Sequence, residues 1–153
     1  SEMCIRDRYY TPDKETLFCK QLLRKENEII GYETGLSALN RIGLVSQMPK
    51  RRCIATNLHT KRIPEGMQIE IRKPPIVVNS GNFRYLQILD AIRELDMAPV
   101  DTAKPIDVVR ATVEEFTLKT EMLILMARKY YGQKTLLRTI DILLEGSYET
   151  ARG

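Results

Sequence analysis

The feature that most constrains the fold is a change of hydrophobic period in the middle of the chain. Residues 67–72 (MQIEIR) alternate apolar and polar side chains, which is the period of a half-buried strand. Residues 52–56 (RCIAT) also predict a strand, and residues 57–66 would join the two as a long hairpin loop. Helical periods flank this region on both sides. The order predicts an α+β fold, with a small antiparallel or mixed sheet in the middle packed against N-terminal and C-terminal helices.

Length and composition indicate one globular domain. The chain has 153 residues, of which 43% are apolar and 29% charged. A chain of this length buries about two-thirds of the surface of its unfolded form, so it can form a core without covalent cross-links. The sequence has no apolar run of the roughly 18 to 20 residues that a membrane helix needs, and it shows no secretory leader pattern. We therefore expect a cytoplasmic protein that does not associate with a membrane.

The opening residues 1–8 (SEMCIRDR) resemble translated sequencing-adapter read-through, a scar found at the ends of metagenomic reading frames. A disordered native tail is the alternative interpretation. Both interpretations exclude these residues from the core, so the predicted single domain spans residues 9–150. The adapter interpretation adds that the native protein extends further towards its N-terminus.

The N-terminal helix has a clear start signal. Thr11 can supply a capping hydroxyl, Pro12 suits the first helical position, and Asp13 lies near the positive end of the helix dipole. The helix is predicted to continue to about residue 27, followed by a brief extended segment at 28–32. A short helix is predicted at 34–42, ending at Gly43. The apolar side chains expected to face inward from these two helices are Leu17, Phe18, Leu22, Leu23, Leu36, Leu39 and Ile42.

The second half of the chain is predicted to be mainly helical. Residues 76–78 first suggest a third strand, at a sheet edge because two prolines precede it. Helices are then predicted after Asn82, after Lys104, near residue 118 and after Gly132. Residues 122–126 are apolar nearly all round, which indicates either a core helix or a helix covered by a partner on its second side. The expected core positions are Phe83, Leu86, Leu89, Ile92, Leu95, Ile106, Val109, Val113, Phe116, Leu118, Met122, Leu125, Met126, Leu136, Ile140, Leu143 and Leu144.

Residues suited to catalysis or metal binding are few. The chain has one histidine, His59, and three cysteines, Cys4, Cys19 and Cys53, without a C-x-x-C spacing. A disulfide framework or a Cys/His zinc site is therefore not expected. His59 is predicted to be an exposed loop residue, whereas Cys19 and Cys53 suit buried positions. We predict no catalytic residue, no metal site and no cofactor.

The most informative motif lies within residues 31–49. Its skeleton is G-x-x-A-L-x-x-x-G-L-x-x-Q-x-P, followed by a basic residue and a strand that ends Ala-Thr-Asn. Most of these positions are interpreted as structural: the glycines serve positive φ or close backbone approach, and the glutamine side chain could bond a backbone group at a corner. The motif residues are Gly35, Ala38, Leu39, Gly43, Leu44, Gln47 and Pro49.

This skeleton resembles the AbiEi-like antitoxins of type IV toxin–antitoxin systems, over about residues 9–116. Residues 86–93 (LQILDAIR) are similar to the family's helix after the strands, and residues 8–12 (RYYTP) to the end of its winged domain. The resemblance implies a prokaryotic, non-enzymatic abortive-infection antitoxin that also regulates transcription. In such proteins an N-terminal winged helix-turn-helix binds DNA, and the second domain counteracts a nucleotidyltransferase-like toxin. Here the winged domain would be missing. The DNA binding that the resemblance implies would therefore reside mainly in that missing N-terminal domain.

Positive charge is concentrated in residues 41–73. This segment has eight lysines and arginines and two glutamates, a net charge of +6, so the remainder of the +4 chain carries −2. A basic strand pair can lie along a phosphate backbone, and the scarcity of aromatic residues favours duplex contact over base stacking. A solvated sheet face whose charges prevent edge aggregation is the alternative. The candidate nucleic-acid-binding residues are Lys50, Arg51, Arg52, Lys61, Arg62, Arg72 and Lys73.

A divergent metal-dependent nuclease is the least favoured function. Glu70 and Lys73 are similar to the E-x-K element of such enzymes, but the lysine comes one position too late. Glu114 and Glu115 are adjacent on a predicted helix and therefore point to different sides. The sequence thus predicts an antitoxin-like function first, a nucleic-acid-binding module second, and a nuclease last.

Overall fold

A computed structural model gives the fold of residues 13–95 and 104–152, with side chains described as far as residue 144. The predicted α+β class is confirmed. Residues 1–8, Thr11 and Pro12 lie outside the described residues, so the predictions made for them are not addressed. The helices are α1 (Lys14–Leu23), α2 (Gly35–Arg41), α3 (Phe83–Glu94), α4 (Pro105–Glu115), α5 (Thr120–Tyr130) and α6 (Gln133–Arg152). The strands are β1 (Arg24–Lys25), β2 (Glu28–Ile29), β3 (Gly31–Glu33), β4 (Arg52–Thr56) and β5 (Ile69–Arg72).

The main sheet is mixed, with strand order β3-β4-β5. β3 is antiparallel to β4, whereas β4 and β5 are parallel. The predicted hairpin between β4 and β5 is therefore wrong, because parallel strands need a crossover connection. Residues 57–68 make that connection by passing over α1. The burial of apolar side chains against α1 stabilises this long connection more than a short hairpin turn would be stabilised. The connection packs Leu58, Ile63 and Met67 against the α1 cluster.

The third strand of the sheet is β3, and the strand predicted at residues 76–78 does not form. The amide of Asn57 takes the place of a strand partner there. Its Oδ1 accepts from the Val78 N–H at 2.8 Å, and its Nδ2 donates to the Val78 carbonyl at 3.0 Å. Pro74 and Pro75 lack the N–H groups that would continue a ladder.

Helix α1 is shorter than predicted and ends at Leu23, not near residue 27. Asp13 caps its start by accepting from the Thr16 N–H at 2.7 Å. The chain then reverses through Glu26, whose φ is +57°, into the β1–β2 hairpin. Leu17 is 44% exposed, so its predicted inward position is wrong; Phe18, Cys19 and Leu22 form the buried face.

Strand β4 is covered on both faces, which explains why four of its five residues are buried. Ile54 joins Ile69 and the α1 side chains in one apolar cluster. Ala55 joins a second, larger cluster together with Tyr32 and the helices that follow the sheet. Consecutive residues of β4, which point to opposite faces of the sheet, thus contact the N-terminal helix on one side and the C-terminal helices on the other.

The helices α3 to α6 supply most of the larger cluster, next to residues of α2, β3 and β4. Leu86, Leu89 and Ile92 of α3 are buried, as predicted. On α6, Leu136 packs against the cluster as predicted, and the buried Thr135, Thr139 and Ile142 also face inward. Four further positions that were predicted to face inward are wrong, since each is at least 41% exposed: Leu36, Met122, Leu125 and Leu144. None of the helices in the described ranges combines the length and apolar character needed to cross a membrane.

Candidate binding sites

The motif residues of the 31–49 stretch lie in and around α2. Ala38, Leu39 and Leu44 are fully buried in the larger cluster. Gly43 follows the helix with φ +89°, the left-handed conformation that ends many helices. These positions form the helix and the turn that places β4 beside β3.

Gly35 is required by a close contact as well as by its backbone conformation. Its φ is +57°, and a Cβ there would lie 3.1 Å from the Arg72 Nη1. The Arg72 guanidinium in turn bonds Glu70 at 2.7 Å and Glu94 at 3.2 Å. Arg72 therefore links β5 to α3 beneath the start of α2.

The corner after α2 is held by a residue that the sequence analysis missed. Asn40 Nδ2 lies 3.2 to 3.3 Å from the carbonyl oxygens of Val45, Ser46 and Gln47. The predicted role of the Gln47 side chain therefore belongs to Asn40, and Gln47 contributes only its carbonyl. Pro49, half-buried, follows before β4. An asparagine near a helix end that precedes a loop is the only sequence signal for this role.

Two of the candidate nucleic-acid-binding residues form ion pairs within the fold. Arg52 bonds Glu33 at 2.9 Å, and Arg72 is paired as described above. Glu33 also lies 3.4 Å from the guanidinium of Arg41. The charge of Arg52 and Arg72 is therefore partly neutralised before any ligand arrives.

The other five candidates, which are exposed, do not form one cluster. Lys50 and Arg51 precede the N-terminal end of β4, whereas Lys73 follows the C-terminal end of the parallel strand β5. Lys61 contacts α1, since its Nζ lies 3.1 Å from Gln21 Oε1 and 5.2 Å from the Phe18 ring centroid. Arg62 follows it in the 57–68 connection. The structure thus distributes the basic residues over two ends of the sheet.

The carboxylate of the nuclease alternative is engaged by its neighbours. Besides Arg72, Glu70 accepts from the Cys53 Sγ at 3.6 Å. The hydrogen bond from Arg72 lowers the pKa of Glu70, while burial, and then Glu70, raises the pKa of Cys53 to about 11. Among the described residues no group of three His, Cys, Asp or Glu side chains could hold a metal ion.

The single histidine lies at the surface, as predicted. His59 is exposed in the 57–68 connection. It lines a cavity of about 320 Å³ together with Lys73 and Val77. Val77 is 74% exposed, so this cavity is a shallow surface feature beside the irregular segment that follows β5.

A buried carboxylate joins the sheet to the helices. Asp90 of α3 is 2% exposed and accepts hydrogen bonds from three hydroxyls. Tyr32 donates at 3.0 Å, Thr34 at 2.5 Å and Tyr131 at 2.5 Å. Arg93 lies 3.5 Å away and balances the charge. We call Asp90, Tyr32, Thr34, Tyr131 and Arg93 the Asp90 cluster.

Three arginines line a small cavity beside β3, and Tyr32 of the Asp90 cluster also belongs to its lining. The cavity has a volume of about 160 Å³ and lies between β3, the β1–β2 hairpin, the end of α2 and the start of α3. Arg24, Arg41 and Arg84 supply its positive charge, and Glu33 is the one acidic residue in its lining. We call this cavity the arginine pocket.

Arg84 is the most firmly placed of these three side chains. Its guanidinium lies 4.0 Å from the Phe116 ring centroid and 4.7 Å from that of Phe83. It donates to Gln87 Oε1 at 3.3 Å, and the Gln87 amide donates to the Glu33 carbonyl at 3.1 Å. Burial, and then the positive charge of Arg41, lowers the pKa of Arg84.

An apolar groove runs along α5. Its volume is about 480 Å³, and its opposite wall contains Ile76 and Tyr85. Met122, Leu125 and Tyr130 in its lining are 41%, 42% and 39% exposed. The charged residues of the lining are Lys119 and Lys129, at the two ends of the helix. We call this feature the α5 groove.

The chain was also compared with known proteins. Neither the protein-family models, nor the curated proteins, nor the solved structures contain a match to it.

Proposed function

We propose that this chain is the non-enzymatic domain of an AbiEi-like antitoxin that binds a nucleotidyltransferase-like toxin in the prokaryotic cytoplasm. The observation that carries the proposal is the α5 groove, where Met122 and Leu125 are exposed on a helix whose buried face is formed by Leu123, Met126 and Ala127. The motif in residues 31–49 supports the family resemblance. In this proposal, operator binding belongs mainly to the winged domain that such antitoxins contain, so we expect this chain alone to bind an operator weakly.

The groove has the chemistry of a protein-binding surface. Contiguous exposed apolar side chains mark interaction sites on soluble proteins. Met122 and Met126 in the lining are flexible and polarizable, which suits contacts with an adaptable partner. The lysines at both ends favour a partner that carries acidic residues.

The shape of the groove favours a helical occupant. Lining residues run along α5 from Lys119 to Tyr130, a rise of about 16 Å at 1.5 Å per residue. A partner helix of about three turns could lie along this length with its apolar face inward. We therefore expect the toxin to present an amphipathic helix with acidic residues near both ends.

The proposal predicts that a nucleotidyltransferase-like toxin is encoded beside this gene, and co-expression of the two proteins tests it. The wild-type chain should restore growth to cells that produce the toxin and should co-purify with it. The variant Met122→Asp/Leu125→Asp should lose both effects, because it places charge in the groove. Leu17→Asp is the matched control, since Leu17 is 44% exposed on α1 and lies outside the groove. Equal rescue by both variants, or no rescue by the wild type, would contradict the proposal.

Nucleic-acid binding is the second candidate function. Its support is the set of exposed bases near the sheet: Lys50, Arg51, Lys61, Arg62 and Lys73. The variant Lys61→Glu/Arg62→Glu should weaken duplex binding and flatten its salt dependence. Unchanged binding would return these residues to the role of a solvated surface.

The nuclease alternative is removed or supported by one assay. The protein is incubated with duplex DNA and Mg²⁺ or Mn²⁺, and Glu70→Ala serves as the test variant. Cleavage that disappears in Glu70→Ala would favour a nuclease over an antitoxin. An uncleaved substrate, or cleavage unaffected by the substitution, would remove it.

A further inference from the structure

We propose that the arginine pocket binds the phosphoryl group of a small phosphorylated ligand. The proposal is independent of toxin binding, because the pocket and the α5 groove have no lining residue in common. It rests on the charge, the fixed geometry and the size of the pocket.

The pocket has more positive than negative charge. Its lining contains Arg24, Arg41 and Arg84 but only one carboxylate, that of Glu33. That carboxylate is shared, since Arg52 bonds it at 2.9 Å and Arg41 at 3.4 Å. In the described part of the chain, Arg84 and Arg24 have no carboxylate within salt-bridge distance. A dianion would supply the missing counter-charge.

Arg84 is held in place without an anion. Two aromatic rings and the amide of Gln87 fix its guanidinium, and Gln87 is itself anchored to the backbone of β3. The planar guanidinium has five N–H donors in a fixed fork that matches phosphate oxygens, and Gln87 takes one of them. The side chain is therefore preorganised to bind a tetrahedral oxyanion.

The charges around Arg84 also favour the binding of an anion. The lowered pKa of Arg84 arises from burial and then from Arg41, a neighbour of the same sign. The positive charges of Arg41 and Arg84 therefore oppose each other, and the carboxylate of Glu115 offsets this only as the smallest of the three influences on Arg84. A phosphoryl group between them replaces this repulsion with charge-assisted hydrogen bonds.

The size of the pocket limits what enters it. The pocket has a volume of about 160 Å³. Sites for drug-sized ligands are larger, about 300 to 1,000 Å³. The pocket thus accommodates the phosphoryl group itself, and the remainder of the ligand lies outside its mouth.

Thermal unfolding of the full chain in inorganic phosphate tests the proposal, with chloride at equal ionic strength as the reference. The Tm of the wild type should rise with phosphate and reach saturation. Arg84→Gln should weaken phosphate binding by about tenfold or more, because it removes charge-assisted hydrogen bonds. Arg84→Lys keeps the charge but not the fork and should also bind more weakly. Arg110→Gln is the matched control, since Arg110 pairs with Asp107 on α4 and should respond like the wild type.

Two further probes distinguish the sources of the phosphoryl group. A nucleoside monophosphate should bind at least as tightly as inorganic phosphate and should depend on Arg84. A single-stranded oligonucleotide without terminal phosphates should bind equally well to the wild type and Arg84→Gln. A wild-type Tm that does not rise specifically in phosphate, or an equal rise in Arg84→Gln, would overturn the proposal. Arg84-dependent binding of the oligonucleotide alone would overturn the assignment to a small ligand.

Discussion

The Asp90 cluster and the arginine pocket are both built on β3 and α3, yet their charges are arranged in opposite ways. Asp90 is one buried carboxylate that receives three hydroxyl hydrogen bonds and lies beside one arginine. The arginine pocket has three arginines and one shared carboxylate. A polar cluster whose members are paired contributes stability, whereas surplus charge held by fixed side chains is available for a ligand.

The largest expected effect is on the Asp90 cluster. Asp90→Asn should lower the free energy of unfolding by about 3 kcal/mol, because buried hydroxyls lose a charged acceptor and Arg93 loses its partner. Urea denaturation measures the change. Asp107→Asn is the control, since the exposed Asp107–Arg110 pair at 3.8 Å should contribute less than about 0.5 kcal/mol. If Asp90→Asn lost no more free energy of unfolding than the control, the Asp90 cluster would not have the stabilising role assigned to it.

A second paired cluster, around Arg72, extends the comparison. Gly35→Ala should destabilise the fold by about 1 to 3 kcal/mol, because φ is +57° and the new Cβ would displace the Arg72 guanidinium. Gly43→Ala is the control, since its φ is +89° but a Cβ there would meet no neighbouring atom. Denaturation of both variants separates the backbone effect from the contact. If both variants lost the same free energy of unfolding, the contact with Arg72 would contribute nothing to the effect of Gly35→Ala.

Alkaline pH should act on the Asp90 cluster. Burial, and then the Asp90 carboxylate, raises the pKa of Tyr32 and Tyr131 well above their ordinary value of 10.0. The two hydroxyls ionise near pH 10 in the unfolded chain but stay protonated in the fold. Their contribution to stability is therefore complete below about pH 10 and is lost as the pH rises further. Denaturation between pH 9 and 11 should show a shallower loss for Tyr32→Phe/Tyr131→Phe; an unchanged slope would contradict this cause.

The smallest expected effect is on the arginine pocket. Arg84→Gln should change the free energy of unfolding by less than about 1 kcal/mol in chloride, because relief of the repulsion from Arg41 offsets the lost contacts with Phe83 and Phe116. Chemical denaturation in chloride measures it. A loss as large as that of Asp90→Asn would mean that Arg84 has a structural role like that of Asp90.

Local sequence signals predicted where the helices and strands lie better than they predicted how the strands pair. The strand predicted at residues 52–56 has those bounds in the structure, and a helix follows Asn82 as predicted. The parallel pairing of β4 with β5 was not predictable, because it depends on burying Leu58, Ile63 and Met67 against a distant helix. The alternation of a strand shows which residues share a face but not the direction of its neighbour.

The binding sites could be predicted only in part. The apolar run at residues 122–126 suggested either a core helix or a second covered side, and the structure buries Leu123 and Met126 while exposing Met122 and Leu125. The arginine pocket gave no sequence signal, because Arg24, Arg41 and Arg84 come from separate elements. The basic segment was visible in the sequence, but the ion pairs of Arg52 and Arg72 depend on the tertiary fold.

One set of measurements tests whether the Asp90 cluster stabilises the fold while the arginine pocket binds a ligand. The free energy of unfolding is determined for the wild type, Asp90→Asn and Arg84→Gln, in chloride and in phosphate at equal ionic strength. We expect that Asp90→Asn is destabilised but still gains stability from phosphate, whereas Arg84→Gln remains stable and gains none. A phosphate response that survives in Arg84→Gln and disappears in Asp90→Asn would contradict it.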